Sequence, residues 1–192
     1  MEKIQITADA IKQALAARQR RVIIDPGRVP AAVLLPLYCE DGQYKILFTK
    51  RTARVRDHAG EISFPGGVRH KHDVSLLKTA LRESCEEIGL APSDVQVLGA
   101  LDDTPTRTTN YLVSPFLGLI PSPYQFKLCA AEVDRLITIS IDALRTEARF
   151  TEKPSADPRI PTPEYSYFHN GDVIWGATAS ILKQFLDIVG AL

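Results

Sequence analysis

The chain has 192 residues, 45% of them hydrophobic, with 23 basic side chains against 23 acidic ones. That length and apolar content suit one globular domain with a full core over 1–192, and the charge balance excludes a broadly basic nucleic-acid surface. No apolar run approaches membrane-spanning length, and the N-terminus lacks the charged-then-apolar order of a secretory signal. The three cysteines, odd in number and without Cys-x-x-Cys spacing, read as free thiols of a reducing compartment, so the cytoplasm is the expected location.

Residues 1–28 read as a helical extension: Thr7 can cap a helix to about Arg20 with Ile11 and Leu15 facing inward. After a Pro-bearing connection comes the apolar run Ala31 to Leu35. Asp41-Gly42 then marks a hairpin turn into a strand from Tyr44 to Phe48. Gly66-Gly67 permits unusual backbone angles and close approach of main chain to a ligand. A helix is predicted from Ser75 to Ile88 with Gly89 as its C-cap. Val95 to Leu101 and Leu112 to Ile120 read as strands, Pro115 placing the second at an edge or a bulge. Val133 to Ile139 is a further strand. Pro154, Pro158, Pro161 and Pro163 rule out regular structure from Lys153 to Glu164, a connection long enough to cover a bulky ligand or simply a stiffened one. Ile174 to Val189 closes the chain as a helix, with Trp175 expected in the core.

The chemistry concentrates in the Ser75–Ile88 helix. At about 100° per residue, Glu83, Glu86 and Glu87 fall at roughly 0°, −60° and +40° on the helical wheel, while Leu77, Leu81, Cys85 and Ile88 gather on the other side and Ser84 lies at the apolar edge. A solvated acidic face is the ordinary meaning of a Glu-Glu pair. Three like charges at i, i+3 and i+4 repel, however, and hard carboxylate oxygens beside a glycine turn suit Mg²⁺ or Mn²⁺ held together with substrate phosphates.

As one pattern, Gly67, a spacer, then Arg82-Glu83-x-x-Glu86-Glu87-x-Gly89-Leu90 resembles the Nudix box of hydrolases that cleave nucleoside diphosphates linked to another moiety. The box covers 67–90. Two positions depart from the pattern: Asp73 stands where the family has a glutamate, with a spacer to Arg82 one residue longer than usual, and Ser84 replaces an aliphatic residue. The resemblance implies an α/β/α sandwich around a mixed central sheet. It also implies metal ligands at Glu83, Glu86, Glu87 and the Gly67 carbonyl, with Glu86 shared with Arg82.

Upstream, Leu47, Thr49, Arg51, Arg56, Gly60, Phe64 and Pro65 match the extra motif of the coenzyme A pyrophosphatase branch, whose box is usually the longer form with Asp73. The Trp175-Gly176 entry to the last helix is similar to that branch as well. The implied reaction is metal-dependent hydrolysis of coenzyme A or a derivative into 4′-phosphopantetheine and adenosine 3′,5′-bisphosphate. Arg51 and Arg56, able to pair with phosphate by bidentate hydrogen bonds, join Phe64, Gly66 and Gly67 as expected substrate contacts, and Arg54 stays a surface residue. His58 has no ligand partner at metal spacing; His70, His72 and His169 carry no assignment. Arg82 and Glu83 are the expected catalytic residues of the box. The general base has four candidates, Glu83, Asp102, Asp103 and Glu132, with Glu132 favoured among the later ones because Glu132-Val133 resembles a recurrent pair in the branch. A Nudix hydrolase of ADP-ribose or a dinucleotide, and a non-catalytic nucleotide sensor, are the alternative expectations. Retention of Arg82 and all three glutamates argues against the sensor.

Overall fold

The computed structural model describes residues 6–52, 60–156, 160 and 162–192. Helix α1 runs Ala8–Ala17, with Thr7 Oγ1 accepting from Ala10 N at 3.1 Å, the cap expected of threonine. It stops short of Arg20 because the following residues are drawn out as an arm along Asp102 and Asp103. Arg18 pairs with Asp102, Arg20 Nη2 with Asp103 Oδ1 at 2.6 Å, and the Arg21 and Ile23 amides donate to the same two carboxylates at 3.0 Å. Only Ala8–Ala17 of the N-terminal extension is therefore helical among the described residues.

Strands β1 (Val29–Glu40) and β2 (Gln43–Arg51) form the hairpin expected at Asp41-Gly42. Both turn residues have positive φ, 52° and 74°, as the tight turns that match strand twist require. Two short strands follow, β3 (Ile62–Ser63) on β2 and β4 (Gly66–Val68) on β1. Helix α2 (Leu76–Ile88) leads through a 3₁₀ turn at Pro92–Asp94 to β5 (Gln96–Ala100), β6 (Thr104–Pro105) and β7 (Tyr111–Leu119). Strand β7 lies parallel to β1 while the other pairings in this sheet are antiparallel, and β8 (Val133–Ser140) borders β2. The central sheet is mixed, as expected.

Strand β7 is not an edge strand: β1 lies along one side and β5 and β6 along the other. Pro115 is tolerated because its side of the ladder falls where β5 pairing, ending at Phe116, gives way to β6 pairing, starting at Val113. Its carbonyl still accepts from Leu101 N at 3.0 Å, so only the missing N–H is lost.

Alternation along β1 and β2 separates two cores. Leu35, Leu37, Ile46 and Phe48 pack with Ile11, Leu182 and Phe185 on one face, and Ala32, Leu34 and Leu47 with Leu81 and Ile88 on the other. A sheet apolar on both faces needs cover on both, which α1 and the last helix supply on one side and α2 on the other.

The C-terminal third departs from expectation. After α3 (Ile141–Thr146), a second antiparallel sheet forms from β9 (Arg149–Lys153), β10 (Glu164–His169) and β11 (Asp172–Trp175), and the last helix, α4, runs Gly176–Gly190. Ile174 and Trp175 thus belong to a strand, and helix begins only after Trp175. The Pro-rich stretch connects β9 to β10. No helix among the described residues is long and apolar enough to cross a membrane.

Candidate active site

Helix α2 is held at both ends. Ser75 Oγ accepts from Lys78 N at 3.2 Å, and Gly89 takes the left-handed conformation with φ 69°, the C-cap geometry in which glycine has no Cβ penalty. The buried face is rotated relative to the wheel. Ser84 is fully buried, not at an apolar edge, and Cys85 is exposed. Ser84 is tolerated in the core because its hydroxyl donates to Ala80 O at 2.7 Å, which satisfies the polar group within its own helix.

That rotation separates the three glutamates. Glu87 turns inward and is 4% exposed; the Glu83 side chain is 15% exposed and that of Glu86 56%. Arg82 ties the cluster together. Its Nε and Nη2 donate to the two Asp73 carboxylate oxygens at 3.1 Å each, Nη2 also donates to Val68 O at 3.2 Å and lies 2.9 Å from Glu83 Oε1, and Nη1 donates to Glu86 Oε2 at 2.9 Å. Asp73 further accepts from the His70 amide at 2.8 Å and from Thr79 Oγ1 at 2.9 Å. The Arg82 hydrogen bonds, helped by those of His70 and Thr79, hold Asp73 well below the usual carboxylate range, and Asp73 in turn is the main cause that pushes Arg82 upward. The aspartate at the departing box position thus anchors the arginine by a bidentate pair, the arrangement for which guanidinium is shaped.

In Glu83 and Glu87 burial outweighs the pairing. Burial pushes Glu87 up to about 8, Arg51 opposing and Glu83 and Glu132 adding to the rise. Burial also raises Glu83, against the pull of Arg82, with Glu86 and Glu132 contributing repulsion. Glu83, Glu87 and Glu132 therefore act on one another although they come from two distant segments. Glu132 is placed where β2 and β8 meet, its carbonyl accepting from Thr52 N at 3.0 Å.

Backbone closeness sets the opposite wall. The Gly66 amide donates to Glu87 Oε2 at 3.3 Å, and a Cβ on Gly66 would lie 2.3 Å from the Ala32 carbonyl oxygen at a φ of 156°. A Cβ on Gly67 would lie 2.6 Å from Glu83 Cδ. Only glycines allow this approach. Among the described residues, no three His, Cys, Asp or Glu side chains stand ready as a metal cluster. The donor set nevertheless suits a hard divalent cation: two inward carboxylates with raised proton affinity, a third acid beside them, and no thiolate or imidazole ligand.

A cavity of about 530 Å³ adjoins this wall, lined by Arg51, Ser63, Phe64, Gly66 and Gly67 on one side and by Thr106–Thr109, Glu164–Ser166 and Trp175–Thr178 on the other. Its size falls in the range of small-molecule sites. Arg51 lies at this wall with its Nε buried and without a hydrogen-bond partner among the described residues. Phe64 reaches the cavity only as floor: it is 2% exposed and stacks on Phe48 at 4.9 Å between centroids, so packing is its main contribution. Arg56, with Arg54 and His58, lies outside the described residues. Asp102 and Asp103 are taken up by the N-terminal arm, Asp103 also accepting from Ser114 Oγ at 2.6 Å.

Two cavity residues escape sequence reasoning. Arg107 donates to the Ser155 hydroxyl, to the Thr162 carbonyl and to the Pro163 carbonyl at 3.1 Å, fastening described residues at both ends of the Pro-rich connection to the cavity wall that Arg107 itself lines. Nothing local to Thr-Arg-Thr-Thr signals a partner some fifty residues away. Trp175, expected in the core, is 42% exposed at the cavity wall.

Comparison with known proteins decides the family. The NUDIX domain model matches residues 27–159. The chain belongs to the Nudix family. An uncharacterized Nudix hydrolase NudL from Photorhabdus laumondii is 36% identical over 160 residues, covering 83% of this chain and 84% of that one. The NudL of Pectobacterium atrosepticum is 35% identical over 158 residues, covering 80% and 79%. Among solved structures, a MutT/nudix family protein from Enterococcus faecalis superposes with a TM-score of 0.58 at 12% identity over 98% of this chain and 71% of that one. A Nudix hydrolase from M. smegmatis, RenU, gives 0.56 at 20% identity over 86% and 87%. The Nudix α/β fold, with its mixed sheet and flanking helices, is the fold of this chain, and the matched span 27–159 includes helix α2 with Arg82 and the glutamates.

Proposed function

We propose that this Nudix hydrolase cleaves the diphosphate of coenzyme A or a close derivative, giving 4′-phosphopantetheine and adenosine 3′,5′-bisphosphate. The observation that carries the reading is a cavity that opens on Gly66-Gly67 and is lined as well by Arg51 and Phe64, two residues of the Leu47–Pro65 motif that resembles the coenzyme A branch. Nudix hydrolases generally depend on a divalent metal; Mg²⁺ or Mn²⁺ held by Glu83, Glu87, Glu86 and the Gly67 carbonyl would neutralise phosphate charge and acidify water. The remaining work falls to the chain. Arg82, locked by Asp73, fixes the directions of Glu83 and Glu86. Glu132, whose charge acts on both inward glutamates, takes the proton of the water that attacks phosphorus. No cysteine or serine nucleophile is needed. The test is a panel of coenzyme A, acyl-coenzyme A, ADP-ribose, dinucleotides and NADH with Mg²⁺, ranked by kcat/KM. Coenzyme A or a derivative should lead, and preference for ADP-ribose or a dinucleotide would contradict the assignment.

Two further outcomes follow from the geometry. Gly67→Ala forces the Glu83 carboxylate away from a Cβ 2.6 Å from its Cδ; turnover should fall by on the order of 10²-fold, as a displacement of about 1 Å does, while circular dichroism stays that of the parent. Normal turnover would remove Glu83 from the reaction. Of the two groups it could meet, we assign Arg51 to the diphosphate rather than the 3′-phosphate, because its charge acts on Glu87. Arg51→Ala should therefore cost about 1.5–3 kcal/mol in kcat/KM equally with coenzyme A and dephospho-coenzyme A. A loss confined to coenzyme A would move Arg51 to the 3′-phosphate.

A further inference from the structure

We propose that Trp175 is the platform on which the nucleobase of the substrate's nucleotide half stacks. This rests on the chain being a hydrolase of a nucleotide diphosphate, and not on coenzyme A being the nucleotide. Trp175 is the chain's only tryptophan, and the structure withholds it from both cores. The reason is the strand. In the β10–β11 register Tyr167 faces Ile174 and Ser166 faces Trp175, and successive side chains point to opposite faces. Tyr167 and Ile174, 3% and 1% exposed, turn toward α4 and the core. Trp175 therefore turns the other way, on the face shared by Ser166 and Glu164.

Trp175, Ser166 and Glu164 all line the cavity that opens on Gly66-Gly67, so Trp175 borders the same space as the proposed diphosphate site. A tryptophan is large enough to dominate the energetics of whatever covers it, and here no protein group covers it fully. A flexible pantetheine chain would give up rotamer freedom to lie on the ring and offers no flat face in return. A purine offers a planar π-surface of matching size, and base–aromatic stacking tolerates any base. Ser166 and the Glu164 carboxylate, on the same face of β10, supply hydrogen-bonding groups at the rim for the polar edge of such a ring.

Because no other tryptophan is present, intrinsic fluorescence reads Trp175 directly. Titration of the full chain with adenosine 3′,5′-bisphosphate, and separately with ADP, should quench it saturably, and 4′-phosphopantetheine should not. By calorimetry, Trp175→Ala should weaken binding of these nucleotides by on the order of 10-fold, and Trp175→Phe, which keeps a stacking face, should retain most of the affinity. Calorimetric binding of the nucleotides with silent fluorescence, equal quenching by 4′-phosphopantetheine, unchanged affinity in Trp175→Ala, or no binding of either nucleotide would each overturn the proposal. The two readings fail separately. Quenching by ADP in a protein that leaves coenzyme A intact removes the coenzyme A assignment alone, and cleavage of coenzyme A beside a silent Trp175 removes this one.

Discussion

Replacement of Glu83 or Glu87 by glutamine is expected to lower turnover at limiting Mg²⁺ by on the order of 10²-fold or more while the fold persists, because the variants lose metal-borne charge stabilisation. For Glu87 a second consequence has the opposite sign. Its native carboxyl titrates near 8, pushed up by burial, whereas an unfolded glutamate titrates near 4.3. Between those values the native state holds a proton that the unfolded state releases, so this group's contribution to metal-free stability is lost as pH rises through the window. Glu87→Gln removes that penalty. At pH 8 and without metal the variant should melt above the parent, and at pH 4 the difference should vanish. The same proton competes with Mg²⁺, so the melting-temperature gain from Mg²⁺ should grow from pH 6 to pH 8.5 in the parent and shrink sharply in the variant. Wild-type turnover in both variants, or a Mg²⁺ gain that ignores pH, would dismantle the site.

Glu132→Gln is the other large expected effect. A positioned base is worth about 10²–10⁴-fold, and Glu132 is the candidate that acts electrostatically on both Glu83 and Glu87. Asp102 and Asp103 are occupied by Arg18, Arg20 and the arm's amides, which leaves little freedom to reach a water elsewhere. Turnover of Glu132→Gln should fall in that range with Mg²⁺ affinity, followed by thermal shift, little changed. Unchanged turnover would return the base to Glu83.

The box was legible because its signals are local. A cap at Ser75, a glycine stop at Gly89 and carboxylates at helical spacing each declare themselves within a few residues, and the Asp41-Gly42 turn does the same for the first hairpin. Asn170-Gly171 carries an equally strong hairpin signal, with positive φ at both residues, yet the apolar helix pattern beyond it absorbed Ile174 and Trp175. The strand pleat then decided the outcome for Trp175, since one residue of register moves a side chain to the opposite face. Ser84 and Cys85 exchanged places for a related reason. Hydropathy ranks cysteine as the core residue, but a serine that bonds its own helix backbone costs little when buried, and the helix's rotation is fixed by Leu81, Ile88 and Glu87. What remained hidden was long-range. The Arg107 clasp on the Pro-rich connection and the arm across Asp102 and Asp103 depend on pairings that no local pattern announces.

Water attack on the diphosphate of coenzyme A is tested by one reaction: coenzyme A and Mg²⁺ with the protein in ¹⁸O-water, both products identified by mass after a single turnover. The expected products are 4′-phosphopantetheine and adenosine 3′,5′-bisphosphate in equal amounts, with solvent oxygen in one of them only. Intact coenzyme A, label in both products or a trapped phospho-enzyme would contradict it.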